Sequence, residues 1–294
     1  MYLMMKDSLI TLSFLGLLFF SACNDVEKKE MDEQQAQTLL TEAATAYGIY
    51  ASTQEEATSK AGFKLEAQLK NAQAPYEYPQ ISVSPTNPDT WPKTITIDYG
   101  SENISGIDSH ERRGKLVIIA DNLPNVSGTT WEINFEDYYF DDNKVEGIQT
   151  IKYKGPNSSD HPVYECSVTD GVITTPNDKV FHFEQQATRE WINGYDTHYI
   201  TTGNMDDLCD DEYKITGTHN GVSSGGYSYN MSTSDTLIVN ICCRWIKEGV
   251  LSVSIDDTDF NCKIDYGPEG NEEDSCNNVA TFTILGITIP ITLP

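Results

Sequence analysis

Past Pro75 the chain is written in short alternating runs of Val, Ile, Thr, Tyr and Phe, each closed by turn residues, and this rhythm leaves few architectures open. Thr94-Ile95-Thr96-Ile97-Asp98-Tyr99 alternates, as do stretches within Lys115 to Ile119, Trp131 to Phe135, Ile148 to Tyr153, Val163 to Val168 and Val180 to Phe183. Further runs lie within Tyr213 to Gly217, Tyr227 to Met231, Leu237 to Trp245, Val250 to Ile255, Val279 to Leu285 and Ile287 to Leu293. Asp141-Asp142-Asn143, Asp170-Gly171, Asn193-Gly194, Asn220-Gly221 and Gly225-Gly226 read as turns between them. Strands at hairpin spacing, with no long helix between them, predict a mainly β fold: one large antiparallel sheet system, barrel-like or folded into a sandwich. A doubly wound fold is excluded. Ile97-Asp98-Tyr99-Gly100 and Ile264-Asp265-Tyr266-Gly267 repeat one tetrapeptide near the two ends of this region and predict two equivalent hairpins.

Residues 33–75 have a different texture. Ala36, Leu39, Leu40, Ala43, Tyr47 and Tyr50 fall on one helical face. Ser52-Thr53-Gln54-Glu55 then has the form of a capping box, in which serine accepts an amide proton and the glutamate three residues on reciprocates. A second helix is expected to start there, carrying a thin stripe of Ala57, Ala61, Leu65 and Leu69. The segment therefore reads as a helical hairpin that needs a larger body to pack on. The antiparallel β-domain covers 76–294, and Pro79, Pro85, Pro88 and Pro92 keep its entry non-helical.

Residues 1–22 hold Lys6 followed by an apolar stretch from Leu9 to Ala22, too short to remain as a membrane span and suited to an export signal. Its end, Leu17-Leu18-Phe19-Phe20-Ser21-Ala22-Cys23, resembles the lipobox of bacterial lipoproteins. That resemblance implies removal of 1–22, acylation of Cys23 with palmitate-type chains, and anchoring to the outer membrane through lipid. Residues 23–32 are polar and charged, a tether. The acidic stretch after Cys23 resembles the export tag of surface lipoproteins in Bacteroidetes-type bacteria, which implies surface exposure rather than a periplasm-facing position.

The chain carries a net charge of −26, and 1–22 contributes one lysine and one aspartate, so processing leaves it unchanged. Such an excess repels nucleic acid phosphates. Beyond Cys23 stand six cysteines, Cys166, Cys209, Cys242, Cys243, Cys262 and Cys276. An even number in an exported chain reads as a disulfide framework of open connectivity. Zinc is disfavoured, since no Cys-x-x-Cys pair or neighbouring histidine is present. Adjacent Cys242 and Cys243, placed in a strand, would point to opposite faces and are expected to take different partners. A local staple with Cys262 and Cys276 is the economical arrangement, leaving Cys166 for Cys209.

Trp91-Pro92-Lys93-Thr94-Ile95-Thr96-Ile97-Asp98-Tyr99-Gly100, Arg112-Arg113-Gly114-Lys115, Asn143-Lys144-Val145-Glu146-Gly147, Cys243-Arg244-Trp245-Ile246 and Ile264-Asp265-Tyr266-Gly267 with Cys276 resemble a group of uncharacterised Bacteroidetes lipoproteins over residues 79–294. The resemblance implies a Cys243 to Cys276 bond, leaving Cys242 for Cys262. It brings no activity.

No catalytic residue stands out. His110, His161, His182, His198 and His219 are scattered, with no Gly-x-Ser-x-Gly or His-Glu-x-x-His motif. No cofactor is called for, calcium excepted: three acidic loops (137–143, 204–212, 269–274) offer oxygen ligands, the strongest through Asp206, Asp207, Asp210 and Asp211. Tyr138, Tyr139, Trp191, Tyr195 and Trp245 could stack on sugar rings. The expected function is a non-catalytic binding or structural module of the cell envelope with a protein or glycan partner and no nucleic acid. A carrier of an apolar ligand in a curved sheet is the alternative, and a glycan-directed hydrolase the third class.

Overall fold

A computed structural model describes residues 30–69, 79–106, 110–197, 206–240, 242–243, 245–267, 276–284 and 286–292. Cys23 and the expected signal peptide lie outside the described residues, as do residues 70–75 of the expected hairpin. One long helix, α1 (Glu33–Leu69), precedes thirteen strands and a single-turn helix, α2 (Asp206–Cys209). The strands are β1 (Gln80–Ser84), β2 (Lys93–Ser105), β3 (Glu111–Ala120), β4 (Thr130–Phe140), β5 (Asn143–Pro156), β6 (Pro162–Thr174) and β7 (Val180–Asn193). After α2 come β8 (Glu212–Val222), β9 (Ser228–Asn240), β10 (Glu248–Ile255), β11 (Asn261–Asp265), β12 (Val279–Ile284) and β13 (Ile287–Thr292). They form one antiparallel sheet in chain order, each strand bonded to the next, with β1 and β13 left as edges. The mainly β expectation holds. The sheet is an open meander, neither a closed barrel nor two stacked sheets.

The sheet curls because it wraps α1. Between Tyr50 and Glu56, about two helical turns, α1 side chains meet six consecutive strands. The Tyr99 hydroxyl of β2 donates to Glu56, Arg112 of β3 to Ser52, and Arg189 of β7 to Glu55. Tyr50 meets Phe135 of β4 edge-on and donates to the Glu146 carbonyl of β5, while Gln54 donates to the Cys166 sulfur of β6. Around this centre Ala46, Ile49, Ala57, Ala61 and Leu65 pack with Ile95, Ile97, Leu116, Ile118, Ile133 and Phe181. The N-terminal half of α1 serves a second cluster, in which Leu39 and Ala43 meet Tyr229, Leu251, Val253 and Cys262 of β9 to β11. Alternation decides the rest: inward positions are apolar, outward ones polar.

The expected helical hairpin is one continuous helix. Ser52 does not cap a second helix, because its hydroxyl oxygen accepts from Arg112 Nη2 at 2.9 Å. A break there would leave backbone groups unpaired inside the curl, where water cannot replace them. The capping box in use lies at the start of α1: Asp32 Oδ1 accepts the Gln35 N–H at 2.8 Å, and Gln35 Oε1 accepts the Asp32 N–H at 3.0 Å. Among the described residues no helix is long and apolar enough to cross a membrane.

Two turn assignments also change. Asp170-Gly171 is a bulge inside β6, and Asn220-Gly221 lies within β8. By contrast Asp141 and Asp142 both take left-handed backbone angles, making the two-residue turn between β4 and β5. The repeated tetrapeptides behave alike: Asp98 Oδ1 accepts the Gly100 N–H at 2.8 Å, and Asp265 Oδ1 the Gly267 N–H at 3.1 Å.

Candidate functional site

Of the expected calcium ligands, Asp210 and Asp211 lie side by side next to Gly194. Asp206 is exposed at the start of α2, whereas Asp210 Oδ1 accepts from Thr197 Oγ1 at 3.1 Å. Asp211 is buried and accepts from Trp191 Nε1 at 3.2 Å; the side chain of Asp207 lies outside the described residues. Among the described residues no three His, Cys, Asp or Glu side chains group as a metal site. The 269–274 loop lies outside the described residues.

Asp211 is nonetheless unusual. Burial, reinforced by repulsion from Glu55 and Asp210, pushes its carboxyl up to about 7, against the pull of the Trp191 N–H and Arg189. The folded state thus keeps a proton, between the ordinary carboxyl value of 3.8 and about 7, that the unfolded chain has released. This group's contribution to stability falls as pH rises through that window and is constant above it. Asp211→Asn, which still offers an oxygen to Trp191, should raise Tm by about 3–5 °C at pH 8 and by almost nothing at pH 4. Thermal melts of the two proteins at both pH values check this.

Two disulfides are present, Cys209 to Cys242 with a Cα separation of 4.9 Å and Cys243 to Cys276 at 5.5 Å. The second bond and the separate partners of Cys242 and Cys243 agree with expectation. The other two pairings do not, since Cys166 and Cys262 are buried free thiols. Cys166 sits mid-strand on β6, opposite Ile151 and Ala187 and facing Gln54 of α1, away from Cys209 at the end of α2. Cys262 points into the core from β11, while Cys242 is exposed in the turn after β9.

The described histidines are dispersed. His110 meets Asp141 at 2.6 Å, His161 meets Glu190 at 2.7 Å, and His182 is exposed. His219 is enclosed by Phe183 and Tyr47, where burial pulls its pKa down to about 4. His198 lies outside the described residues. The suggested stacking aromatics are mostly occupied: Tyr138 is buried, the Arg113 guanidinium covers Tyr139, Trp191 stacks on Tyr213, and Tyr195 packs on His161.

A recess lies elsewhere, a trough of about 610 Å³ on the outer face of β8 to β12. Two registered rows form it. Thr218, Ser232, Ser252, Lys263 and Thr283 stand side by side on successive strands. Asn220, Asn230, Ser254 and Asn261 make the second row. The residues between the rows, His219, Met231, Val253 and Cys262, are buried on the opposite face, so the trough faces away from α1. Six of the lining side chains, Thr218, Asn220, Ser232, Ser254, Asn261 and Lys263, make no hydrogen bond or ion pair within the described structure. A smaller cleft of about 410 Å³ runs past both disulfides and is flanked by the Lys247 to Glu212 ion pair.

Alternation alone marked these positions as outward, but polar outward residues are the rule on a sheet. The usable signal was chemical: in a chain with 22% charged residues, every position of the two rows except Lys263 carries a hydroxyl or an amide. No protein-family model, curated protein or solved structure matches the chain.

Proposed function

We infer that this chain is a lipid-anchored protein of the bacterial outer membrane, exposed at the cell surface, whose β-domain binds a partner without catalysis. The observation that carries this reading is the filled concave side of the sheet: Leu39, Ala43, Ala46, Tyr50, Ala57 and Ala61 of α1 have no exposure at all. A carrier of apolar ligands needs that space empty, so the free recognition surface is the outer face. The scattered histidines and separately partnered carboxylates give no support to a hydrolase. The anchor is supported by the sequence around Cys23, and the even spread of hydroxyls and amides over β8 to β12 suits recognition.

Fractionation and protease shaving of intact cells test the reading together. Wild-type protein is expected in the outer membrane and accessible to external protease, and Cys23→Ala is expected to be absent from the outer membrane, held in the inner membrane where its leader is retained. Outer-membrane localisation of the alanine variant would refute the lipid anchor, and protection of the wild-type protein from protease would refute surface display.

A further inference from the structure

We propose that the outer-face trough over β8 to β12 binds an acidic oligosaccharide, its hydroxyls held by the Ser, Thr and Asn side chains and one carboxylate held by Lys263. This rests on the binding-module reading and gives it a ligand class. Neighbouring strands stand about 4.8 Å apart, so the two registered rows form a grid of hydrogen-bonding groups on the scale of consecutive sugar rings. Hydroxyls and amides each offer both donors and acceptors. That is the complement of a polyol, whose hydroxyls do the same.

The unpartnered state of the lining matters more than its polarity. Among the described residues Thr218, Asn220, Ser232, Ser254 and Asn261 keep their side-chain hydrogen-bonding capacity free, although other outward polar residues on this sheet are paired, as Lys115 is with Asp98 and Lys154 with Glu165. Among the described residues Lys263 is likewise without an ion-pair partner, in a chain of net charge −26. Asp259 also lines the trough, so Lys263 stands on a grid that is otherwise uncharged except for one carboxylate, and it is the group that can hold a single anionic substituent on a mostly uncharged ligand.

Other occupants fit less well. A protein partner is held by buried aromatic and apolar anchors, and no aromatic side chain lines this trough. Nucleic acid brings many phosphates to a surface of the same sign. The volume, about 610 Å³, lies within the range of small-molecule and oligosaccharide sites.

The test is calorimetric titration of the full chain in detergent micelles with a tetramer of galacturonic acid and, separately, with a neutral hexose tetramer. The uronate tetramer should bind wild-type protein, and Lys263→Ala should weaken it about tenfold while leaving any neutral binding within twofold. Ser232→Arg, which fills the trough, should abolish both. Lys152→Ala, an exposed lysine on β5 outside the trough, should change nothing. A thermal melt of each variant separates loss of ligand from loss of fold. Absence of uronate binding by wild-type protein, or equal binding by both trough variants, overturns the proposal. If that protein is still membrane-anchored and shaved from intact cells, the broader reading stands and only the ligand is wrong.

Discussion

Replacing Tyr50 by alanine is expected to cost about 4 kcal/mol, the largest loss from any single substitution on α1. The ring is wholly buried, stacked on Phe183 at 5.5 Å and met edge-on by Phe135 at 5.9 Å. Its hydroxyl donates to the Glu146 carbonyl at 2.7 Å, and its own carbonyl accepts from Gln149 Nε2 at 2.9 Å. Two bulges make room for this. β5 slips register between Glu146 and Ile148, β6 between Val168 and Gly171, and a Cβ on Gly171 would stand 2.9 Å from the Tyr50 hydroxyl. The bulge frees the Glu146 carbonyl from the ladder for the tyrosine. Tyr50→Phe isolates that bond and should cost about 1 kcal/mol. Urea denaturation of the three proteins is the measurement; an alanine variant as stable as wild type would mean that α1 is not clasped by the sheet.

Arg189→Ala should follow, at about 2 kcal/mol, below the range for breaking a fully buried ion pair. The arginine is 18% exposed and its partner Glu55 40%, so the glutamate left behind regains water and the full penalty is not felt. Arg189 Nη2 donates to Glu55 at 3.0 Å, and the guanidinium lies 3.5 Å from the centre of the Tyr213 ring. Arg189 Nε is buried with no acceptor, so this contact fixes position at some cost in solvation. Arg189→Met combined with Glu55→Gln keeps the volume and removes both charges, and should recover most of the loss. If the double variant were as unstable as Arg189→Ala, the guanidinium contact with the Tyr213 ring, lost in both, would account for the effect and the charge left unpaired on Glu55 would not.

Periodicity carried most of the fold. The alternation at Thr94 to Tyr99, the turn at Asp141-Asp142 and the outward rows of β8 to β12 are local facts, dictated by a side-chain period of two and by residues that tolerate left-handed angles. Local chemistry misled where a distant group was the better partner. Ser52 looks like a cap until Arg112, sixty positions away, takes its oxygen. Asp170-Gly171 looks like a turn until the Tyr50 hydroxyl fills the space beside Gly171.

The cysteines divide along the same line. Their even number pointed to disulfides, yet pairing is a matter of Cα separations of 4.9 and 5.5 Å that only the folded chain creates. The trough is similar: each Ser, Thr or Asn is legible as outward, but their convergence needs the register of five strands. By itself, then, the sequence determined the antiparallel β character, the leading helix and the polarity of each face, because these depend on neighbours along the chain. Tertiary structure alone decided the single unbroken helix, the curl around it, the disulfide partners and the recess, because each depends on groups that meet only once the sheet has closed on α1.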